Sequence, residues 1–263
     1  MRGAYSNGVL SAFEESGFNH WDSIYGTSAG GALAAWYAAG QARYAEETWK
    51  YVVDRRIMSY RRFLTGGPLL DHEALLDIIY EKEHPIDQAA IRAAPSPVIV
   101  TASDIDAGRP HYQDLRQGPV IPWLKATGRL PIAAGPPVVI EGRRFLDGGI
   151  LDPIPLRRAM ADGHTDITVI LNKPHGPPRP DNAMLAAFVA RRYPRLRQGI
   201  LEHQQIKHGT IGLALAPPAG VKVGIVRPKQ ATGLHRLTRD LDAIHAAIEI
   251  GRRDGQEHVR KAA

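Results

Sequence analysis

One serine, Ser28, stands in "SIYGTSAGGAL" (residues 23–33) with glycines two positions to either side, Gly26 and Gly30. The "SIY" before it reads as the end of a strand, and "GALAAWYAAG" after it reads as a helix. Gly-x-Ser-x-Gly between a strand and a helix is the pattern of a nucleophile elbow. Such a turn is tight, so side chains at Gly26 and Gly30 are expected to collide with neighbouring backbone. It lifts the serine hydroxyl off the sheet edge towards the first turn of the helix. Free backbone N–H groups there, that of Ala29 included, can stabilise an oxyanion. The chemistry that fits is nucleophilic attack on a carbonyl carbon.

A serine becomes a nucleophile only beside a base. In an α/β-hydrolase that base is a histidine, and a βαβ unit or more precedes the elbow. Here the elbow comes very early and no His-Gly-Gly-Gly stretch exists. Of the 11 histidines, His203, His208, His235 and His245 fall late enough for a Ser–Asp–His order. The other candidate is Asp147, at the end of a strand-like run and followed by Gly148 and Gly149. Two glycines let the backbone turn sharply and approach a partner, although a plain Asp-Gly turn has the same sequence.

The elements that must position these residues follow from periodicity. A helix is expected over 6–17, a buried strand at "DSIYG", and helices over 28–40, 42–53 and 68–82, the last capped by Asp71. "SPVIVTASD" is of strand type and "GRPHYQD" reads as its hairpin return or an edge strand. A short helix at "VIPWLKATG" precedes two strands in "PPVVIEGRRFLDGG", hinged at Glu141-Gly142. Then come a helix at "PLRRAMADG", a strand at "DITVILNKP" and a proline-rich linker at 173–182. Beyond it lie mainly helices, a strand-like run at 221–228 and a last helix near 238–251. Strands alternating with helices argue for an α/β sandwich with a mostly parallel sheet.

The chain has 263 residues, no cysteine and a net charge of +6. Disulfides, thiolate metal sites and a cysteine nucleophile are excluded. Arginines cluster in "RRIMSYRRF" (55–63), "RRYPRLR" (191–197) and "GRRDGQEHVRK" (251–261), which favours anionic partners such as phospholipid headgroups or simply marks solvated faces. Trp49, Tyr60 and Phe63 near the first cluster are candidates for membrane docking or for core packing. No nucleic-acid-binding signature accompanies the basic clusters, so nucleic acid is not an expected partner. The stretch 30–40 is too short and too rich in small residues to span a bilayer.

With "GTSAG" (26–30), "LDGGILDPIP" (146–155) and the intervening "ATGRLPIAAGPPVVIEGRRF", the sequence resembles the patatin-like phospholipase family. These are serine acyl hydrolases that use a Ser–Asp dyad. "MRGAYSNGVL" is similar to the end of the family's glycine-rich "GGGxRGxxxxGVL" run, Arg2 and Gly3 falling on its Arg-Gly. The resemblance covers about residues 1–173. It implies a three-layer α/β/α sandwich with a mostly parallel central sheet, a catalytic domain over 1–173 and a mainly helical extension over 174–263 packed on it. Because the match starts in mid-motif, the first strand and the preceding glycines are expected to lie upstream of Met1, the alternative being a shortened chain impaired in catalysis.

By the same resemblance, Ser28 is the nucleophile and Asp147 the base, with a carboxyl pKa raised by partial burial. Gly26, Ala29, Gly30, Gly148 and Gly149 are motif or oxyanion residues, together with Arg2 and Gly3. No metal or cofactor is implied. The substrate implied is a fatty-acyl ester, phospholipid or lysophospholipid, met in the cytoplasm or at the membrane periphery. Two other readings stand beside it: a chain that binds lipid or a partner without turnover, and a Ser-His-Asp esterase.

Overall fold

A computed structural model describes residues 1–176, 183–235 and 238–262. Most of the linker expected at 173–182 lies outside the described residues. Strand β1 (Ile24–Thr27) pairs in parallel with β2 (Val98–Asp104), and β3 (Arg109–Asp114) returns antiparallel along the whole of β2. Strands β4 (Val138–Ile140) and β5 (Arg143–Asp147) form a hairpin, and β5 runs antiparallel to β2. Strands β6 (Asp166–Ile170) and β7 (Lys222–Val226) form a separate parallel pair.

The fold is a mixed α/β sandwich built on a central sheet, as expected, but strand direction within that sheet differs from the expectation. Only β1 and β2 run parallel in it; the other pairings are antiparallel. Short connections dictate this for β2–β3 and β4–β5, since a parallel neighbour needs a crossover of a dozen residues or more. Between β2 and β3 the carboxylate of Asp104 accepts from the N–H groups of Asp106 and Ala107, and Gly108 is left-handed (φ 69°). Between β4 and β5, Glu141 and Gly142 both have positive φ (51° and 76°), the signature of a two-residue hairpin turn.

Because β3 occupies one whole edge of β2, β1 and β5 must share the other edge end to end. Thr27, the last residue of β1, pairs with Thr101, and Asp147, the last residue of β5, pairs with Ala102. Two strands thus run at each other along one edge and stop one residue apart. Val98, Val100 and Ala102 on one face of β2 pack into the main core with Leu33, Trp36, Leu124 and Phe145. The opposite face carries Thr101 and Ser103, which are equally buried but polar. Apolar and polar sides of one central strand therefore separate the core from the junction of β1 and β5.

The first helix, Gly3–Glu15, lies against the last, Leu241–Ala262. That last helix runs well past the end expected near 251. Gly251 and Gly255 look like helix breakers in sequence, but they sit where the two helices touch. A Cβ at Gly251 would lie 2.0 Å from the carbonyl oxygen of Tyr5, and one at Gly8 would lie 1.9 Å from that of Ile248. Arg252, beside this crossing, pairs with Glu15, Glu46 and Glu249. Lys261 pairs with Glu257, so two cations of the third basic cluster are held in ion pairs on this helix. Trp49 is buried with its indole N–H on Asn7 (2.9 Å), which settles it as a core residue.

Candidate active site

Ser28 follows β1 directly and precedes the helix Ala29–Ala38. Its backbone has φ 57° and ψ −130°, a conformation that an L-residue adopts only when its surroundings force it. Strain of this kind costs on the order of 1–3 kcal/mol. Two contacts hold it. The N–H of Ser28 donates to Thr127 Oγ1 (2.9 Å), and that hydroxyl donates onward to the carbonyl of Thr101 (2.7 Å). Gly26 lies so close to the start of the helix that a Cβ would come within 2.5 Å of the Gly30 carbonyl oxygen.

The expectation for Gly30 is corrected here. A Cβ at Gly30 would meet nothing within 4 Å, whereas one at Gly31 would press on Thr127 and on the Gly26 carbonyl. The glycines of close approach are therefore Gly26 and Gly31. Gly30 points its missing side chain away from the sheet, on the outer side of the first helical turn.

Asp147 arrives from the other end of the same edge. Ser28 Oγ donates to Asp147 Oδ2 at 2.6 Å, and Asp147 Oδ1 accepts the N–H of Gly149 at 2.7 Å. The two carboxylate oxygens thus have different roles: one is fixed by the backbone, the other faces the serine. The backbone of Asp147 is held as firmly, its N–H on the carbonyl of Arg129 (2.8 Å) and its carbonyl on Ser103 Oγ (2.8 Å). Asp147 itself is only 2% exposed. Gly148 makes the turn possible, because a Cβ there would lie 2.2 Å from the Thr101 carbonyl oxygen.

Gly3 begins the first helix and lies against Ala29, 3.1 Å from its Cβ if Gly3 carried one of its own. The start of the first helix and the start of the elbow helix therefore converge beside Ser28, with Arg2 as the cap of the former. First-turn N–H groups have no intrahelical acceptor, so both termini offer donors. None of the described histidines is hydrogen-bonded to Ser28, and His235 and His245 are exposed on the far chain segments.

Sequence reasoning missed Thr127, Arg129 and Ser103, whose roles depend on contacts far along the chain. Arg129 is buried with its guanidinium on the Ala134 carbonyl and on Glu73, and burial holds its pKa below the usual arginine value. Beside it, His72 is pushed down to about 3 by burial and by the charges of Arg129 and Lys125, so it stays neutral. On the other side of the junction, Asp152 receives a hydrogen bond from Tyr112 (2.7 Å), and its carbonyl accepts from Thr27 Oγ1 (3.1 Å). Burial raises the Asp152 carboxyl to about 6, with the Tyr112 bond opposing the rise.

Residues 1–160, which contain the elbow, the aspartate turn and every contact that joins them, match the family model described as patatin-like phospholipase. The chain belongs to the patatin-like phospholipase family. Among curated relatives, the protein named "Uncharacterized protein YjjU" of Escherichia coli (strain K12) is 29% identical over 188 residues, covering 66% of this chain and 50% of that one. "Uncharacterized NTE family protein Rv1063c" of Mycobacterium tuberculosis (strain ATCC 25618 / H37Rv) is 28% identical over 172 residues, covering 65% of this chain and 46% of its own. The chain thus spans about half the length of the curated relatives it matches. Patatin-like proteins are in general hydrolases of lipid esters. No helix among the described residues is long and apolar enough to cross a membrane.

Proposed function

We propose that this protein is a serine acyl hydrolase that cleaves fatty-acyl esters, phospholipid or lysophospholipid, through a Ser28–Asp147 dyad. The observation that carries the reading is the 2.6 Å hydrogen bond from Ser28 Oγ to Asp147 Oδ2, made by a strained serine at the end of a strand. As Ser28 Oγ attacks the ester carbonyl carbon, its proton passes to Asp147 Oδ2. The tetrahedral intermediate collapses, Asp147 returns the proton to the departing alcohol, and the acyl group stays on Ser28. Asp147 then takes a proton from water as it attacks the acyl-enzyme, and returns that proton to Ser28 Oγ as the fatty acid leaves.

The Gly149 N–H on Oδ1 keeps the carboxylate from rotating while Oδ2 accepts and returns the proton. Developing negative charge on the carbonyl oxygen is met by the N–H of Ala29 and by donors at the Arg2–Gly3 helix start. One such donor is worth about 10²–10³ in rate. The domain over 1–173 carries the chemistry, with the segment from 174 onward as its extension.

The test is release of free fatty acid from phosphatidylcholine and lysophosphatidylcholine by the wild type and by Ser28→Ala. The reading expects turnover by the wild type and a loss of at least about 10³-fold in the variant. Equal rates from both proteins would end it.

A further inference from the structure

Three segments of the chain meet around one groove away from the dyad. Residues 55–70 join the 128–137 loop through the Leu70 N–H on the Ala133 carbonyl (2.9 Å). That loop in turn joins the helix Ala183–Arg192 through a cluster in which Ile132 packs with Val189, Ala190 and Leu196. Between them lies a cavity of about 490 Å³. Ile132, Pro136 and Pro137 from the loop line it, with Phe63 on one side and Phe188 and Tyr193 on the other. Neither Ser28 nor Asp147 lines this groove, but its wall belongs to the loop that follows Thr127, which holds Ser28, and that contains Arg129, which holds Asp147.

The rim is unusual in two ways that reinforce each other. Large apolar side chains stand out into solvent on both sides: Tyr60, Phe63 and Leu64 (85% exposed) on one, Met184 (84% exposed) and Phe188 on the other. Met184, Phe188 and Arg192 are spaced four apart, so they share one stripe of their helix. The charge around these side chains is mainly positive, although Arg56 and Arg62 pair with Asp54 and Asp71, and the buried Arg129 pairs with Glu73. Residues 55–70, 128–140 and 183–201 contain nine arginines and not one aspartate or glutamate, in a chain whose whole net charge is only +6. Arg55, Arg61, Arg191, Arg192 and Arg197 have no carboxylate partner among the described residues. Exposed apolar side chains set among cations that lack carboxylate partners mark a contact surface.

We propose that this face docks the protein onto an anionic phospholipid bilayer. Phe63, Leu64, Met184 and Phe188 enter the headgroup–acyl boundary while the surrounding arginines engage lipid phosphates. Charge complementarity decides for this occupant over a second copy of the chain, because two such faces would bring arginines against arginines. The inference deepens the acyl-ester reading by naming where the enzyme meets its substrate, but docking is measured without turnover.

The experiment is co-sedimentation with vesicles of phosphatidylcholine alone and of phosphatidylcholine mixed with phosphatidylglycerol, using the full chain. Wild type and Ser28→Ala bind the mixed vesicles equally and bind phosphatidylcholine alone far less, and binding falls as salt is raised. Arg61→Gln and Arg191→Gln, both at exposed positions, each weaken binding by about five-fold. Phe63→Ser with Phe188→Ser weakens it while circular dichroism stays unchanged. No preference for the anionic vesicles, or arginine variants that bind like wild type, would overturn the proposal. So would a concentration-dependent dimer that the phenylalanine pair dissolves, since a second copy would then cover the face. Hydrolysis that survives Ser28→Ala would defeat the catalytic reading and leave the vesicle result standing.

Discussion

The junction of β1 and β5 and the arginine-rich groove are opposite solutions to the placing of side chains. At the junction each polar group is fixed by another: Thr127 on Ser28, Arg129 and Ser103 on the backbone of Asp147, Gly149 on its carboxylate. At the groove Arg55, Arg61, Arg191, Arg192 and Arg197 have no carboxylate partner among the described residues, and Phe63, Leu64, Met184 and Phe188 are exposed, so little beyond charge and apolar area is specified there. Proton transfer between two oxygens demands a geometry held to fractions of an ångström, whereas a fluid lipid surface adapts to whatever meets it. Rigidity is found where bonds are to change, and freedom where the partner is soft.

The largest expected effect separates the two regions completely. Asp147→Asn retains the shape of the junction but removes the proton acceptor, so acyl-ester hydrolysis falls by about 10³–10⁴-fold. Vesicle binding by the same variant stays at the wild-type level. Steady-state hydrolysis and co-sedimentation on one protein sample check both halves. A loss of vesicle binding in parallel would mean that the two regions are one.

A pair of glycine variants sharpens the contrast within the elbow itself. Gly26→Ala drives a methyl group into the backbone of Gly30 and Gly31, with a stability loss of about 3 kcal/mol. Gly30→Ala enters open space on a helix, where alanine is favoured over glycine by up to about 1 kcal/mol. Urea denaturation of the two variants is expected to move in opposite directions. Equal losses would mean that the elbow is not closed as described.

Those two glycines also mark how far the sequence was legible. Gly-x-Ser-x-Gly and Asp-Gly-Gly announced the residues of the junction because each is a local backbone requirement written within five positions. The hairpin at Glu141-Gly142 and the cap at Asp71 were readable for the same reason. The equal suspicion of Gly26 and Gly30 was not sound, because which glycine faces the sheet depends on the helix direction. Thr127, Arg129 and Ser103 gave no signal, since their roles come from pairing with residues far away in the chain. Strand direction was misjudged because periodicity reports what a strand buries, not which way its neighbour runs. The last helix was cut short because Gly251 and Gly255 look like breakers until the helix they touch is known.

The smallest expected effect concerns the rim of the junction. Asp152 has its carboxyl pKa raised by burial to about 6, well above the ordinary aspartate value of about 3.9. Between these values the folded chain holds a proton that the unfolded chain has released, so Asp152 lowers stability as pH rises through this window and the cost is complete above it. Asp152→Asn removes that cost. It is expected to be more stable than wild type by on the order of 2 kcal/mol at pH 7.5 and similar to it near pH 4. Denaturation at the two pH values tests this, and an equal difference at both would show that the carboxyl does not titrate there.

The central claim is that Ser28 is activated by Asp147 through their shared hydrogen bond. Its most direct test is the intact mass of wild type, Ser28→Ala and Asp147→Asn after exposure to a fluorophosphonate probe. The account predicts one adduct on the wild type, none on Ser28→Ala and strongly slowed labelling of Asp147→Asn. An adduct on Ser28→Ala, or labelling of Asp147→Asn at the wild-type rate, would contradict it.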